Sequence, residues 1–544
     1  MTVVLLMTVG FICRGDDAAA GTYRFSDLGK TPFEMSAIRD YVFPAHDFRI
    51  DDYGARPDGT KCTEAIARAI DSCATAGGGR VVVPAGTWFT GPVHLRSNVD
   101  LHLEPGARLL FSDDPKDFLP AVRSSWEGLE CMNYSPLVYA YGCTNVALTG
   151  SGVVEAKMDF WKAQMEEGKT DIQGARRILY TWGATDYPVE KRVMPSAHPA
   201  VMRPQLIQFN RSANVLIEGI EVRDSPFWTM HLLLCDNVIV RNVRVRAHGF
   251  NNDGIDIEMT RNVLVEGGDY DQGDDAFVFK AGRNRDAWRI GRPTENVVVR
   301  NCRVRKAGSL VGVGSELSGG VRNIYVHDCK VGEVARLYYV KTNHRRGGFV
   351  ENVVLRNVDV AKGMWKAVAV ETDVLYQWRE FPDYETRYTK ISNLTVENVH
   401  CAAAKAAIDV LGDPHEPIRG IRIKDLSVDR IEDVSTRIEN AVDVQVDGFR
   451  TGTVGKVPTS WDDDLPTVCK VVDCAGVPRL ELNGEAVSGT AVMPSPRVKP
   501  DESRSALVDF ATNGVRLSSD IWTMRPPQPK RQWWLGDGVY DECR

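Results

Sequence analysis

Two short phrases carry the candidate aspartates Asp253, Asp274 and Asp275: Asn251-Asn252-Asp253-Gly254-Ile255-Asp256 and Gly273-Asp274-Asp275-Ala276-Phe277. Asp253 and Asp274 lie 21 residues apart, and each phrase runs into an alternating apolar pattern, Ile255/Ile257 in one and Phe277/Phe279 in the other. If strands stack at that interval, Asp253, Asp274 and Asp275 meet on one face. Like charges held close push at least one carboxyl toward its protonated form. That arrangement gains no stability. It is what cleavage of a glycosidic bond by water requires: one acid for the leaving oxygen and one carboxylate to activate the water. A calcium site and hydrogen-bonded turn aspartates are the competing uses of the same residues.

The elements that position these carboxyls are visible as a repeat. Asn followed by alternating apolar residues, a polar corner and more alternation recurs at Asn145 (NVALTGSGV), Asn214 (NVLIEGIEV), Asn237 (NVIVRNVRV), Asn262 (NVLVEGGDY), Asn296 (NVVVRNCRV), Asn323 (NIYVHDCKV), Asn352 (NVVLRNVDV) and Asn393 (NLTVENVHC), with a degenerate copy at Gly420. Starts from Asn214 to Asn352 are spaced by 23, 25, 34, 27 and 29 residues. A two-residue period rich in β-branched residues means strand. A repeat of this length with variable insertions means a solenoid. No helical period separates the strands and no leucine-rich frame is present, so the expectation is an all-β, right-handed parallel β-helix.

A solenoid needs a capped end, and Cys62 to Ala76 (CTEAIARAIDSCATA) reads as an amphipathic capping helix with Thr63 as its cap. Cys302 and Cys329 occupy the slot of Val243, Val358 and Val399, so they are expected to be buried thiols. Residues 1–20 read as a signal peptide, with an apolar stretch from Val3 to Ile12. A lipoprotein site at Cys13 fits its flanks poorly. Residues 21–48 form an extension, 49–486 the solenoid and catalytic domain, and 487–544 an extended tail wrapped on the outside, with a substrate or subunit contact through Trp533 and Trp534 as the alternative. Export implies a secreted or periplasmic protein. The net charge of -7 argues against nucleic acid, and no later segment reads as membrane-spanning.

Motifs along Ile50 to Asp447 sharpen the reading: DDYGARPDGT (Asp51–Thr60), PAGTWFTGPVHL (Pro84–Leu95), SPFWTMH (Ser225–His231), NNDGIDIE, GDDAFVFKAG, VGSELSGGVRNI (Val313–Ile324) and VKTNHRRGG (Val340–Gly348). In that order they resemble the polygalacturonases of glycoside hydrolase family 28. The resemblance implies an inverting hydrolase of pectin with Asp274 as general acid and Asp253 and Asp275 activating water. It places Lys341 on the substrate carboxylate and needs no metal or cofactor. Two departures stand out: Gly308 where the family has a His, and Tyr339 where it has an Arg. His248 and His344 are candidates to compensate. Arg345 and Arg346, with Asn251, His231 and His344, complete the expected substrate contacts; Trp228, Arg283 and Arg285 are further cleft candidates.

The rivals are a β-helix polysaccharide lyase and a decayed pectin-binding protein. Another pectin branch, rhamnogalacturonan included, is an alternative substrate. Insertions at Asp159–Pro204, after Gly282 and at Ala361–Ile391 favour a blocked, exo-acting site. Oligomeric state is not legible.

Overall fold

The computed structural model describes residues 22–166, 172–374 and 385–459, with short strands between Lys470 and Leu517. The expected signal peptide, most of the tail and Trp533/Trp534 lie outside the described residues.

The chain is a parallel β-helix. Each central coil supplies three strands, as in Met230–Leu233, Asp236–Arg241 and Arg244–Ala247. Each lies parallel to its counterpart in the next coil, Ile255–Glu258, Arg261–Glu266 and Asp269–Gln272. The sequence repeat marks two of these strands. The third follows the insertion point, and it carries the candidate site. From Arg303 to Glu439 the strands bend round the corners without a break, as in Val321–Lys341 and Phe349–Glu371. Inward side chains form one continuous apolar column along the axis.

The repeated asparagines explain the corners. Asn145, Asn214, Asn237, Asn262, Asn296, Asn323, Asn352 and Asn393 all adopt φ between 53° and 58°, a left-handed conformation that Asn tolerates better than other residues bearing a Cβ. Their amides also bond along the axis: Asn296 donates to Asn262 (3.2 Å), Asn323 to Asn296 (3.0 Å) and Asn352 to Asn323 (3.0 Å). At Asn237 the amide turns outward to Arg39 O (2.6 Å), which pins the N-terminal extension. There the strand Ile38–Tyr41 packs Ile38 against Leu216, Ile239 and Leu264.

The helix Thr63–Thr75 covers the first coil and buries Ala65, Ile66, Ala69, Ile70 and Cys73. Thr63 is its first residue rather than its cap. Its hydroxyl instead accepts from Gly91 N (2.6 Å) and meets Thr90 Oγ1, tying the helix to the coil below. Eight cysteines among the described residues are free and buried. Cys302 and Cys329 line the interior, the latter in register with Val358. Burial pushes the Cys131 and Cys235 thiols up to about 12, so these eight should stay inert to an aromatic disulfide reagent until denaturant is added. Fast labelling of the native protein at any of them, located by peptide mapping, would contradict this core.

Candidate active site

One outward-facing ladder crosses the coils as Gln208, His231, Asp256, Val278, Gly312 and Tyr339. Beside it, Glu258 pairs in register with Lys280, and Lys341 follows two coils later with Glu371. Asp253 precedes the strand Ile255–Glu258, and Asp274 and Asp275 precede Phe277–Lys280. The backbone locks these approaches together: Asp274 N donates to Asn252 O (3.2 Å) and Gly254 N to Asp275 O (2.8 Å). The three aspartates therefore meet on one face. Asp253, Asp274 and Asp275 keep 3 %, 8 % and 5 % of their surface, whereas Asp256 keeps 0 %. A substrate can thus touch the first three but not the fourth.

Their electrostatic settings differ. Burial, then the neighbouring Asp253 and Asp275, holds Asp274 well above the usual carboxylate range. Burial and Asp256 do the same to Asp253, and burial takes Asp256 up to about 8. Asp253 and Asp256 thus lie side by side, each held above its ordinary range, with Lys280 the cation between them. Burial also acts on Asp275, but Lys341, the Ser309 hydroxyl and Lys280 outweigh it, and this carboxyl lies below its ordinary value. Lys341 Nζ is 3.2 Å from Asp275 Oδ2, and Ser309 Oγ donates to Oδ1. One patch thus holds proton-bearing acids and one carboxylate.

Lys280 is the hub beneath them. Its ammonium lies 3.8 Å from Asp253, 3.4 Å from Asp256 and 3.3 Å from Glu316, and 4.3 Å from the centre of the Trp228 ring. Glu316 passes the charge on to Arg283 (2.6 Å).

The other expected residues fall into distinct places. Asn251 reaches Asp274 Oδ2 at 3.5 Å and accepts from Arg203 at 2.9 Å. His231 is fully buried, with Gln208 on one ring nitrogen and Glu258 on the other, both at 2.8–2.9 Å. It builds the floor rather than the surface, as does Trp228 stacked on Phe227. Arg346 is buried on Ser315 O and Asn284. Arg345 lines a small hollow with Tyr180, Arg283, Arg285 and Trp288. His344 is half-buried in the turn after Lys341, and its carbonyl accepts from Arg387 N. His248 pairs with Asp271 (2.8 Å), not with the aspartates. Tyr339 donates to Glu371 (2.9 Å), and Arg336 stacks over its ring at 4.4 Å.

A hairpin that the repeat does not announce closes one end of this face. Val122–Trp126 pairs antiparallel with Leu129–Asn133. Ser124 bonds Gln208, Gln205 donates to Ser125 O, and Trp126 stacks on Phe227. At the tip, Glu127 takes hydrogen bonds from Arg176 and Tyr180, both on the insertion helix Ile172–Ala184. Gly128, at φ 83°, sits so close that a Cβ there would be 2.9 Å from both Arg283 N and Glu316 Cβ. The hairpin covers the coils that precede the aspartates, through Gln208 and Phe227, whereas the helix packs beside Arg283 at the end of the Phe277–Lys280 strand. Part of the insertion after Ala361, residues 375–384, lies outside the described residues.

Residues 192–446, the span holding all three aspartates, Lys280, Glu316 and Lys341, match the family model described as Glycosyl hydrolases family 28. A probable polygalacturonase of Vitis vinifera is 25% identical over 71% of this chain and 74% of its own. An exo-poly-alpha-D-galacturonosidase of Dickeya chrysanthemi is 25% identical over 68% of this chain and 65% of its own. Among solved structures, a hyperthermoactive exopolygalacturonase from Thermotoga maritima is 32% identical, covers 84% of this chain and 97% of its own, and superposes with a TM-score of 0.67. With a solenoid of the same build and a carboxyl cluster fit for acid–base work, the chain belongs to glycosyl hydrolase family 28 and is a glycosidase.

Proposed function

We propose that the protein is an inverting, exo-acting hydrolase of α-linked galacturonan in pectin. The observation that carries this reading is the divergence of three adjacent carboxyls beside the cation Lys341. Asp274, held protonated, donates to the glycosidic oxygen. Asp275, held ionised, takes the proton from water. Asp253 is held above its ordinary range by burial and by Asp256, so its part is to hold the water rather than to deprotonate it first. Lys341 offers a point charge to a uronate carboxylate. The acid–base pair is the requirement of hydrolysis, whereas a lyase needs a base for the proton beside the carboxylate.

The exo mode is supported by the hairpin Val122–Asn133, which fills the sheet face next to the site, and by the exo-acting names of the Dickeya and Thermotoga relatives. A pectic polymer does not cross a membrane, so the enzyme is placed outside the cytoplasm, secreted or periplasmic.

The test is product analysis on homogalacturonan and rhamnogalacturonan, with absorbance of unsaturated products followed in parallel. The first turnovers are expected to release a single short product from homogalacturonan without that absorbance. A mixed ladder of oligomers at early times would overturn exo action, and growing absorbance would overturn hydrolysis. Trp126→Ala, which removes the stack on Phe227, should broaden the product range.

A further inference from the structure

Three neighbouring carboxyls cannot all serve as the base, and Asp275 is set apart by a serine hydroxyl that donates to it. Ser309 Oγ donates to Asp275 Oδ1, while Lys341 Nζ holds Oδ2 at 3.2 Å. Ser309 is buried, and its backbone is clamped on both sides: Ala276 N donates to Ser309 O (2.7 Å) and Gly308 N to Asp274 O (2.8 Å). Two glycines make room for the carboxylate. A Cβ on Gly308 would stand 2.8 Å from Asp275 Oδ1, and one on Gly312 would stand 3.0 Å from Oδ2. With the carboxylate in this position, a side chain at position 308 would collide with it, an imidazole included. The contact passes one residue along the strand, to a hydroxyl.

The geometry points to Ser309 as the positioning residue that selects Asp275 as the catalytic base and fixes its orientation. The inference rests on the hydrolase reading above and goes beyond it, because it replaces a titrating partner with a neutral one. An ionised carboxylate accepts from Ser309 with either oxygen, whereas a protonated one gives up part of that capacity, so the hydroxyl favours the ionised form. The charged and titratable groups facing Asp275 are Asp274 beside it, Asp253 and Asp256 on the preceding coil, Lys280 on its own strand and Lys341 two coils on. No histidine is among these described neighbours. The acid limb of activity therefore follows Asp275 itself.

The experiment measures kcat and KM against pH on a defined galacturonan oligosaccharide for the parent, Ser309→Ala and Ser309→Thr, with melting temperatures recorded alongside. Ser309→Ala should lose about tenfold or more in kcat at mildly acidic pH, the scale of a hydrogen bond to a charged group. The loss should shrink as pH rises, because the acid limb moves upward when Asp275 loses its donor. KM should change by less than about twofold, and Ser309→Thr should bring the limb back. Gly308→Ala, which crowds Asp275 directly, should move activity in the same direction. An acid limb in Ser309→Ala that coincides with the parent's, or a pH-independent loss that Thr does not repair, would overturn the assignment. A parent that hydrolyses no galacturonan would instead remove the reading beneath it.

Discussion

Asp274→Asn is expected to lower kcat by roughly 10²–10⁴-fold, the contribution of a positioned general acid, while KM changes little. Asparagine keeps the shape and one acceptor oxygen but has no proton to give to the leaving oxygen. The same change should raise the melting temperature, with a sign that follows from linkage. Asp274 in the folded protein sits well above its ordinary value because burial and two neighbouring carboxyls penalise its charge. The folded state therefore holds a proton that the unfolded state has released, and stability falls as pH climbs from the ordinary aspartate range through the raised value. The substituted amide does not titrate. The variant's advantage over the parent should be small near pH 4 and larger near pH 8. Paired melts at the two values, alongside kcat, test both halves. A variant that is inactive yet less stable at pH 8 would mean that Asp274 is held for structure, and full activity would remove it from the mechanism.

Lys280→Met should have the largest effect on stability. The ammonium is buried, and three buried carboxyls, Asp253, Asp256 and Glu316, lie within 4 Å of it. Deleting one partner of a buried ionic cluster costs about 3–5 kcal/mol, because the charges left behind are uncompensated. Glu316 shows the pH dependence. Burial pushes it up, but Lys280, Arg283 and Arg346 hold it far below the ordinary value. Its ionised form therefore stabilises the fold above the ordinary glutamate range, and that contribution fades as pH falls. Without Lys280 the deficit against the parent should be greatest at neutral and alkaline pH and should narrow toward pH 4, as the orphaned Glu316 takes up a proton. Lys280→Arg should recover part of it. Thermal melts across pH decide the matter, and a Met variant as stable as the parent at pH 8 would show that the hub is electrostatically idle.

Both predictions concern residues that differ in how far the sequence exposes them. The three aspartates are legible because they precede strands at nearly one coil's spacing. Lys280 and Asp256 stand in the same two phrases, yet the apolar members Ile255, Ile257, Phe277 and Phe279 draw the eye to the inward face. The outward alternates, Asp256, Glu258 and Lys280, are the floor of the site, and the two-residue period was sufficient to place them there. Glu316 could not be found that way, because its partners Lys280 and Arg283 come from another coil. The hairpin was hidden for a different reason. Its turn is Glu127-Gly128, a weaker signal than Asn-Gly, and it lies between repeats. Contacts with distant residues, such as Gln208 and Phe227 some 80 to 100 residues on, give it a place. His231 shows the converse: a histidine in a site motif invites a catalytic role, but with both ring nitrogens taken by Gln208 and Glu258 it serves as masonry.

The asparagine column has a consequence for how such an enzyme can change over generations. Consecutive rungs bond whether 27, 29 or 34 residues of chain separate them, so the alignment of one coil on the next is insensitive to what is inserted between them. Segments such as the hairpin at Val122–Asn133 and the helix at Ile172–Ala184 can then be gained, lost or exchanged without a shift in the strands that bear the aspartates. Chemistry and cleavage mode are inherited on separate parts of the chain, and selection can revise the second while the first stays in register.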